Sequence, residues 1–427
     1  MQMKTFGPAI IVVLAGLVIA WQFVNPAPPR TITIATGKPD GAYYLFATRY
    51  RERLAGLGIT LDIRESAGSV ENIDLLQSPD APVDLAFVQG GTGDRSSAAA
   101  LRSLGSLYFE PLWVFYRGPK TDRLTDRLTD LADMRTAIGE PGSGTRRITL
   151  TLLADNFIDA GADTILPLGG EAAAGALLDG SIDAAFFVAS PEAPVVQRLL
   201  HRPDIRLLSF ARAAAYVQTH HYLSAVTLPE GIIDLQANIP ARDTTLLAPT
   251  ANLVARSDFH PALISLLLQI VSDMHRQGSL FSQPGEFPNA NHLEYPLDKT
   301  AERFYRHGPP LLQRYLPFWT ADLVDRMKVM LVPLLTLLFP LIKIMPPVYR
   351  WRVRKKIYRW YRLLRKLETG DSAALDGKRR DELLRQLQSI DDDVRKLHVP
   401  LSYSDELYNL RLHIDMVRKK LLAAARP

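Results

Sequence analysis

The chain has 427 residues, a formal net charge of +5 and no cysteine. The length allows two or three domains, and the missing thiols exclude disulfides, thiolate metal sites and cysteine nucleophiles. A surplus this small argues against a nucleic-acid binder, since much of it comes from one basic run near the C-terminus.

Residues 5–29 carry no charged side chain and lie between Lys4 and Arg30. Their apolar core, 6–24, is about 19 residues long, enough to span a bilayer at a rise of about 1.5 Å per residue. Val18-Ile-Ala20 has the look of a small-x-small cleavage site, but Trp21 and Phe23 follow at once. An uncleaved N-terminal anchor over 1–29 is therefore expected, with Trp21 at the outer interface.

After the spacer Pro26-Ala-Pro-Pro29, short apolar runs alternate with helical stretches. Strands are predicted at 31–35, 59–63 and 83–88, with helices at 41–54 and 70–77. After a crossover strand at 112–116 the pattern recurs, with strands at 135–138, 164–168 and 182–188 and helices at 145–159 and 172–178. A strand at 244–255 and an apolar helix at 261–274 follow. Strands alternating with helices through short turns imply βαβ units and parallel sheets. Two such sets joined by extended crossovers predict an α/β clamshell with a cleft between lobes. The expected boundaries are lobe I at 30–118, lobe II at 119–240, a return to lobe I at 241–290 and a membrane-proximal segment at 291–326.

Three strand-to-helix turns place Gly, Ser or Thr at a helix entrance: Thr36-Gly-Lys-Pro-Asp-Gly41, Ser66-Ala-Gly-Ser69 and Gly139-Glu-Pro-Gly-Ser-Gly-Thr145. Unpaired amide N–H groups and the positive end of the helix dipole favour an anion there. Capping explains any one of them equally well. All three follow predicted parallel strands, so they are expected to face one crevice. Gly139, Gly144 and Thr145 echo a P-loop, but the lysine that should precede the threonine is missing. A carboxylate fits that turn better than a nucleotide.

Ile34-Ala-Thr-Gly-Lys-Pro-Asp-Gly-Ala-Tyr-Tyr44, Gly68-Ser-Val-Glu-Asn72 and Asp84-Leu-Ala-Phe-Val-Gln89 resemble motifs of the TAXI-type solute-binding proteins. These are the extracytoplasmic receptors of tripartite ATP-independent periplasmic (TRAP) transporters. Gly142-Ser-Gly-Thr145 and Asp179-Gly-Ser-Ile-Asp-Ala-Ala-Phe186 are similar to the family's second-lobe motifs. The resemblance covers residues 31–275. It implies a type II periplasmic-binding-protein-like clamshell and a small anionic solute, glutamate- or 2-oxoglutarate-like. Carried over by position, it makes Thr36, Tyr43, Tyr44, Ser69, Asn72, Gln89, Ser143, Gly144 and Thr145 the ligand-binding candidates. No catalytic role, metal or cofactor is expected. His220-His221 is not expected to share a metal, because neighbours on a strand point to opposite faces.

Residues 329–342 form a second apolar run, and from Tyr349 to Arg362 the chain is rich in Arg and Lys without Asp or Glu. A second transmembrane helix is expected at 327–349, with Lys343 snorkelling. Basic flanks stay cytoplasmic, so both termini are expected inside a bacterial inner membrane and the main domain in the periplasm. The tail, 350–427, continues with two heptad-like patterns around Leu383–Leu397 and Leu407–Leu421 that predict an antiparallel helical hairpin. The implied partners are a TRAP permease or, through the hairpin, a cytoplasmic or membrane partner. A tethered sensor or scaffold with no transport role is the alternative.

Overall fold

The computed structural model describes residues 11, 13–19, 21–22, 26–80, 83–93, 99–118, 126–368, 377–397 and 403–423. The chain divides into two compact units, 26–323 and the combination of 1–25 with 324–427.

In the first unit, β1 (Thr31–Ala35), α1 (Ala42–Ala55), β2 (Thr60–Arg64), α2 (Ser69–Gln77) and β3 (Leu85–Gln89) form two parallel βαβ turns with strand order β2-β1-β3. Next come the adjoining β4 (Leu101–Phe109) and β5 (Leu112–Arg117). A second set comprises β6 (Thr136–Ala137), α3 (Gly144–Asp155), β7 (Ile165–Leu166), α4 (Gly170–Asp179) and β8 (Ala184–Val188), ordered β7-β6-β8. It repeats the first. The chain continues through α5 (Pro194–Leu200), β9 (Ile205–Leu207), α6 (Ala213–Thr219), β10 (Leu223–Leu228) and the long β11 (Thr244–Arg256), then α7 (Pro261–His275), α8 (Lys299–His307) and α9 (Leu311–Tyr315).

An antiparallel strand closes each parallel set: β11 beside β3 and β5 beside β8. Strand β11 serves both lobes. Its first half pairs with β10 and β5, and its second half pairs with β3 and β4. The other crossing is Glu110-Pro111, between β4 in lobe I and β5 in lobe II, and the Glu110 amide donates to the Pro249 carbonyl at 2.8 Å. The two crossings therefore lie side by side beneath the cleft.

Period-two alternation puts the faces of each sheet into different cores. In lobe I, Leu85 and Phe87 of β3 join Ile32, Leu253 and the apolar face of α7, while Ala86 and Val88 pack with Ile73 and Leu76 of α2. In lobe II, Val114 and Tyr116 of β5 face one core and Trp113 and Phe115 the other. Helix α1 buries Ala47, Tyr50 and Leu54, a spacing of three and four that turns one stripe inward.

In the second unit, α10 (Phe318–Glu368, beginning within the first) runs on through Pro340, Pro346 and Pro347, followed by α11 (Gly377–Arg395) and α12 (Ser404–Ala423). The expected hairpin helices are both present, and α11 and α12 pack together through Leu387, Val394, Leu410, Ile414 and Val417. The basic run joins them, because Ile357 and Leu364 of α10 are buried in the same cluster. Arg354 meets Glu406 at 3.1 Å and Arg418 meets Asp391 at 2.9 Å.

The flanking transmembrane helices expected from the sequence are not found: among the described residues, no helix is long and apolar enough to cross a membrane. Of the expected N-terminal anchor, residues 1–10, 12, 20 and 23–25 lie outside the described residues. In α10 the uninterrupted apolar run 329–342 covers about 21 Å, short of a hydrocarbon core about 30 Å thick, and Lys343 follows it. The side chains at 329, 332, 333 and 337 are outside the described set.

Candidate ligand-binding cleft

A cleft of about 740 Å³ opens between the lobes, and all three turns singled out in the sequence line it. From lobe I come the turn at Gly37–Tyr43 and the start of α2 at Ala67–Ser69; from lobe II come Gly139, Glu140 and Ser143–Thr145. A fourth helix mouth, Gly169-Gly170 at the start of α4, lines it as well. The sequence reading passed over it, because a pair of glycines carries no capping side chain to mark a helix start. Helices α1, α2 and α4 begin at Gly41, Gly68 and Gly169 with no side-chain cap, which leaves amide N–H groups facing the cleft region.

Six of the nine candidate residues line the cleft: Tyr43, Ser69, Gln89, Ser143, Gly144 and Thr145. Their polar atoms are mutually engaged. The Tyr43 hydroxyl donates to Glu110 Oε2 at 2.8 Å and lies 3.4 Å from Ser69 Oγ, while its ring stacks on Phe87 at 5.0 Å. Ser69 Oγ accepts from the Gln89 amide at 2.9 Å. Ser143 Oγ caps α3 by accepting from the Arg146 amide at 3.2 Å and donates to the Glu140 carbonyl at 2.6 Å. Thr145 Oγ1 accepts from the Val188 amide at 3.3 Å.

The other three candidates do other work. Thr36 is fully buried and its hydroxyl donates to the carbonyls of Arg64, at 3.1 Å, and Gly37, at 3.2 Å. Asn72, also fully buried, donates through Nδ2 to the carbonyls of Thr36 at 2.5 Å and Phe87 at 2.8 Å, and accepts from Ser66 Oγ at 2.6 Å. These two residues brace the strand ends and do not line the cleft. Tyr44, one residue on from Tyr43 along α1, turns away from it. His220-His221 does not sit on a strand. His220 ends α6 and meets Asp155 Oδ2 at 2.5 Å.

The lobes touch across the cleft. Gln89 Nε2 donates to the Gly144 carbonyl at 3.2 Å, and Lys38 Nζ lies 2.6 Å from Glu140 Oε2. A Cβ on Gly144 would stand 2.6 Å from Gln89 Oε1, so this approach needs a glycine.

The floor holds residues that the sequence reading missed. Tyr108 and Glu110 are two apart at the end of β4 and share a face. Glu110 is only 8% exposed, and burial pushes its carboxyl up to about 8, with the Tyr43 hydrogen bond pulling the other way. Among the described residues, the buried Tyr108 hydroxyl has no hydrogen-bond partner. Its ring stacks on His275 at 5.5 Å, and His275 Nε2 shares a 2.7 Å hydrogen bond with the Tyr50 hydroxyl. Burial, with a smaller contribution from Arg49, lowers His275 to about 3, so its imidazole is neutral. Burial first, then Glu110, raises the Tyr43 phenol well above its ordinary value, and it stays a donor.

The model of the NMT1-like family matches residues 34–307. Among solved structures, the chain is similar to a protein of Bordetella bronchiseptica at 17% identity and a TM-score of 0.41, covering 64% of this chain and 96% of that one. It is similar to the alkanesulfonate-binding protein SsuA from Xanthomonas axonopodis pv. citri bound to MOPS, at 16% identity and a TM-score of 0.37, over 59% and 74% of the two chains. A histidine kinase sensor domain with similarity to periplasmic binding proteins matches at 15% identity and a TM-score of 0.37, over 57% and 90%.

Proposed function

The chain belongs to the NMT1-like family, with its periplasmic-binding-protein-like fold, and on that premise we propose that its cleft binds a small carboxylate or amino acid. One observation carries the proposal: four helix N-termini and the side chains of Tyr43, Ser69, Gln89 and Thr145 surround a single cavity of small-molecule size. Bare amides at helix starts attract a negative group, and the lobes already meet through Gln89 and Gly144. Binding without chemistry is supported by how the cleft hydroxyls are used. Ser69, Ser143 and Thr145 are each tied to backbone groups.

The motif resemblance to TAXI-type receptors supports a role in a TRAP-type transporter, with 2-oxoglutarate or glutamate as model solutes. Placement outside the inner membrane belongs to the same proposal. Its support is the uncharged segment 5–29 between Lys4 and Arg30, with the basic run after the second apolar stretch. Calorimetry on the full-length protein with 2-oxoglutarate, succinate and L-glutamate tests the solute site. Saturable one-site binding is expected for at least one, and silence across the series refutes the reading.

A membrane-tethered sensor or scaffold is favoured by one feature, the helical tail with its own buried cluster around Leu387, Leu410 and Ile414. Deletion of 377–427 that leaves solute uptake intact but abolishes a cytoplasmic association would select it.

A further inference from the structure

Glu110 occupies a position no ordinary pocket residue shares. It lies at the crossing from lobe I to lobe II, its amide is bonded to the second crossing at Pro249, and its side chain lines the cleft floor. Buried carboxylates in folded proteins are paired with cations or held by several donors. This one accepts a single hydrogen bond, from Tyr43 to Oε2, and among the described residues it forms no salt bridge. Oε1 has no partner. Around it stand Tyr43 and Ser69 from lobe I helices, Tyr108 from β4, and His275 behind Tyr108. His275 is uncharged, held at 2.7 Å from Tyr50. The ionic groups that line the cleft are Lys38, Asp40, Arg49, Glu140 and Glu192. None bonds to Glu110, and Lys38 is engaged with Glu140.

A floor carboxyl with no cation bonded to it among the described residues, under a rim of positive helix ends, suits an anion whose far end needs a donor. An ionised Glu110 would repel that anion, whereas its acid form offers a hydrogen. We propose that the carboxyl group of Glu110 is the donor that receives an acceptor oxygen of an anionic solute, and that solute and proton therefore occupy the cleft together. The inference rests on the cleft being the solute site, and it narrows the solute to an acid that presents no ammonium group to the floor. Proton and anion favour each other reciprocally: the arriving charge raises the proton affinity of Glu110, and the proton raises the affinity for the anion.

Calorimetry of the full-length protein with 2-oxoglutarate and with L-glutamate, from about pH 6 to about pH 10, tests this. Running each titration in two buffers of different ionisation heat counts the protons exchanged. For 2-oxoglutarate, affinity is expected to stay level up to about pH 8, then fall about tenfold per pH unit with uptake of one proton. Glu110→Gln, whose amide cannot ionise, should lose the dependence on pH above about pH 8 and take up no proton on binding. A thermal melt confirms that the variant folds. An infrared carboxylic-acid band present in the unliganded wild type and absent from Glu110→Gln is the expected companion result. Wild-type binding that is level with pH would overturn the inference alone. So would affinity for L-glutamate that rises as Glu110 ionises, the mark of a carboxylate holding an ammonium. Silence from both probes at every pH would instead remove the solute site, and this inference with it.

Discussion

The two walls of the cleft are built from different materials. Lobe I contributes buried side chains with titratable groups: Tyr43, Tyr108, Glu110 and His275, interlocked by stacking and short hydrogen bonds. Lobe II contributes backbone at the helix entrances of Gly139, Gly144, Gly169 and Gly170, with Ser143 and Thr145 tying the turns down and the Glu140 and Glu192 carboxylates beside them. One wall can read protonation and shape, because its groups change charge inside a low dielectric. The helix-mouth amides, which both walls supply, attract negative charge at any pH, because amide dipoles do not titrate.

The contrast can be broken most forcefully through pH. His275 is held neutral with its folded value near 3, well below the ordinary 6.5. Its contribution to stability is present above about pH 6.5 and is lost as pH falls towards 3, a change of about 3–5 kcal/mol. His275→Gln keeps a partner for Tyr50 and should flatten that acid limb in denaturant melts. Glu110 works in the opposite window. Its folded value is raised, so its contribution is full below about pH 4.5 and is lost as pH climbs through 8. Glu110→Gln should therefore be more stable than wild type by about 2–4 kcal/mol at pH 8, with the two converging near pH 4. Two lobe I residues would then set both edges of the stability profile.

A backbone wall should instead fail through sterics and show no pH signature. Gly139 has φ +95°, and a Cβ there would stand 2.7 Å from the Arg146 amide nitrogen. Gly139→Ala is expected to cost about 2–3 kcal/mol, equally at pH 5 and pH 8, in thermal melts. The smallest effect belongs to the rim. Lys38 and Glu140 are both partly exposed, so Lys38→Met should change stability by less than about 0.5 kcal/mol in denaturant titrations.

Much of the fold was legible because periodicity survives in it. The three parallel strands of each lobe and the helices between them were found within a few residues, and the three turns do meet at one cleft. Strand β4 was not found, for a physical reason. Leu101, Leu104 and Leu107 recur every three residues, which is a helical spacing, yet all three are buried on a strand. The pairing of β4 with β11 skips Leu104 and Leu107, since Val254, Leu253, Asn252 and Ala251 oppose Ser103, Gly105, Ser106 and Tyr108. Two bulges thus shift the alternation and disguise the strand. Missing β4 meant missing Tyr108 and Glu110, which it delivers to the floor.

Local sequence by itself marked three of the four helix mouths, since Gly, Ser and Thr after an apolar strand favour a turn into a capped helix. It could not tell a residue that faces a ligand from one that braces a turn. Thr36 and Asn72 carry the same kinds of polar group as Ser69 and Thr145, and only packing aimed the first pair inward at carbonyls. The upward shift of the Glu110 carboxyl likewise comes from tertiary structure. A carboxyl's charge depends on the water and ions around it, and Glu110 is buried at a crossing between lobes against Tyr43, a residue 67 positions away along the chain.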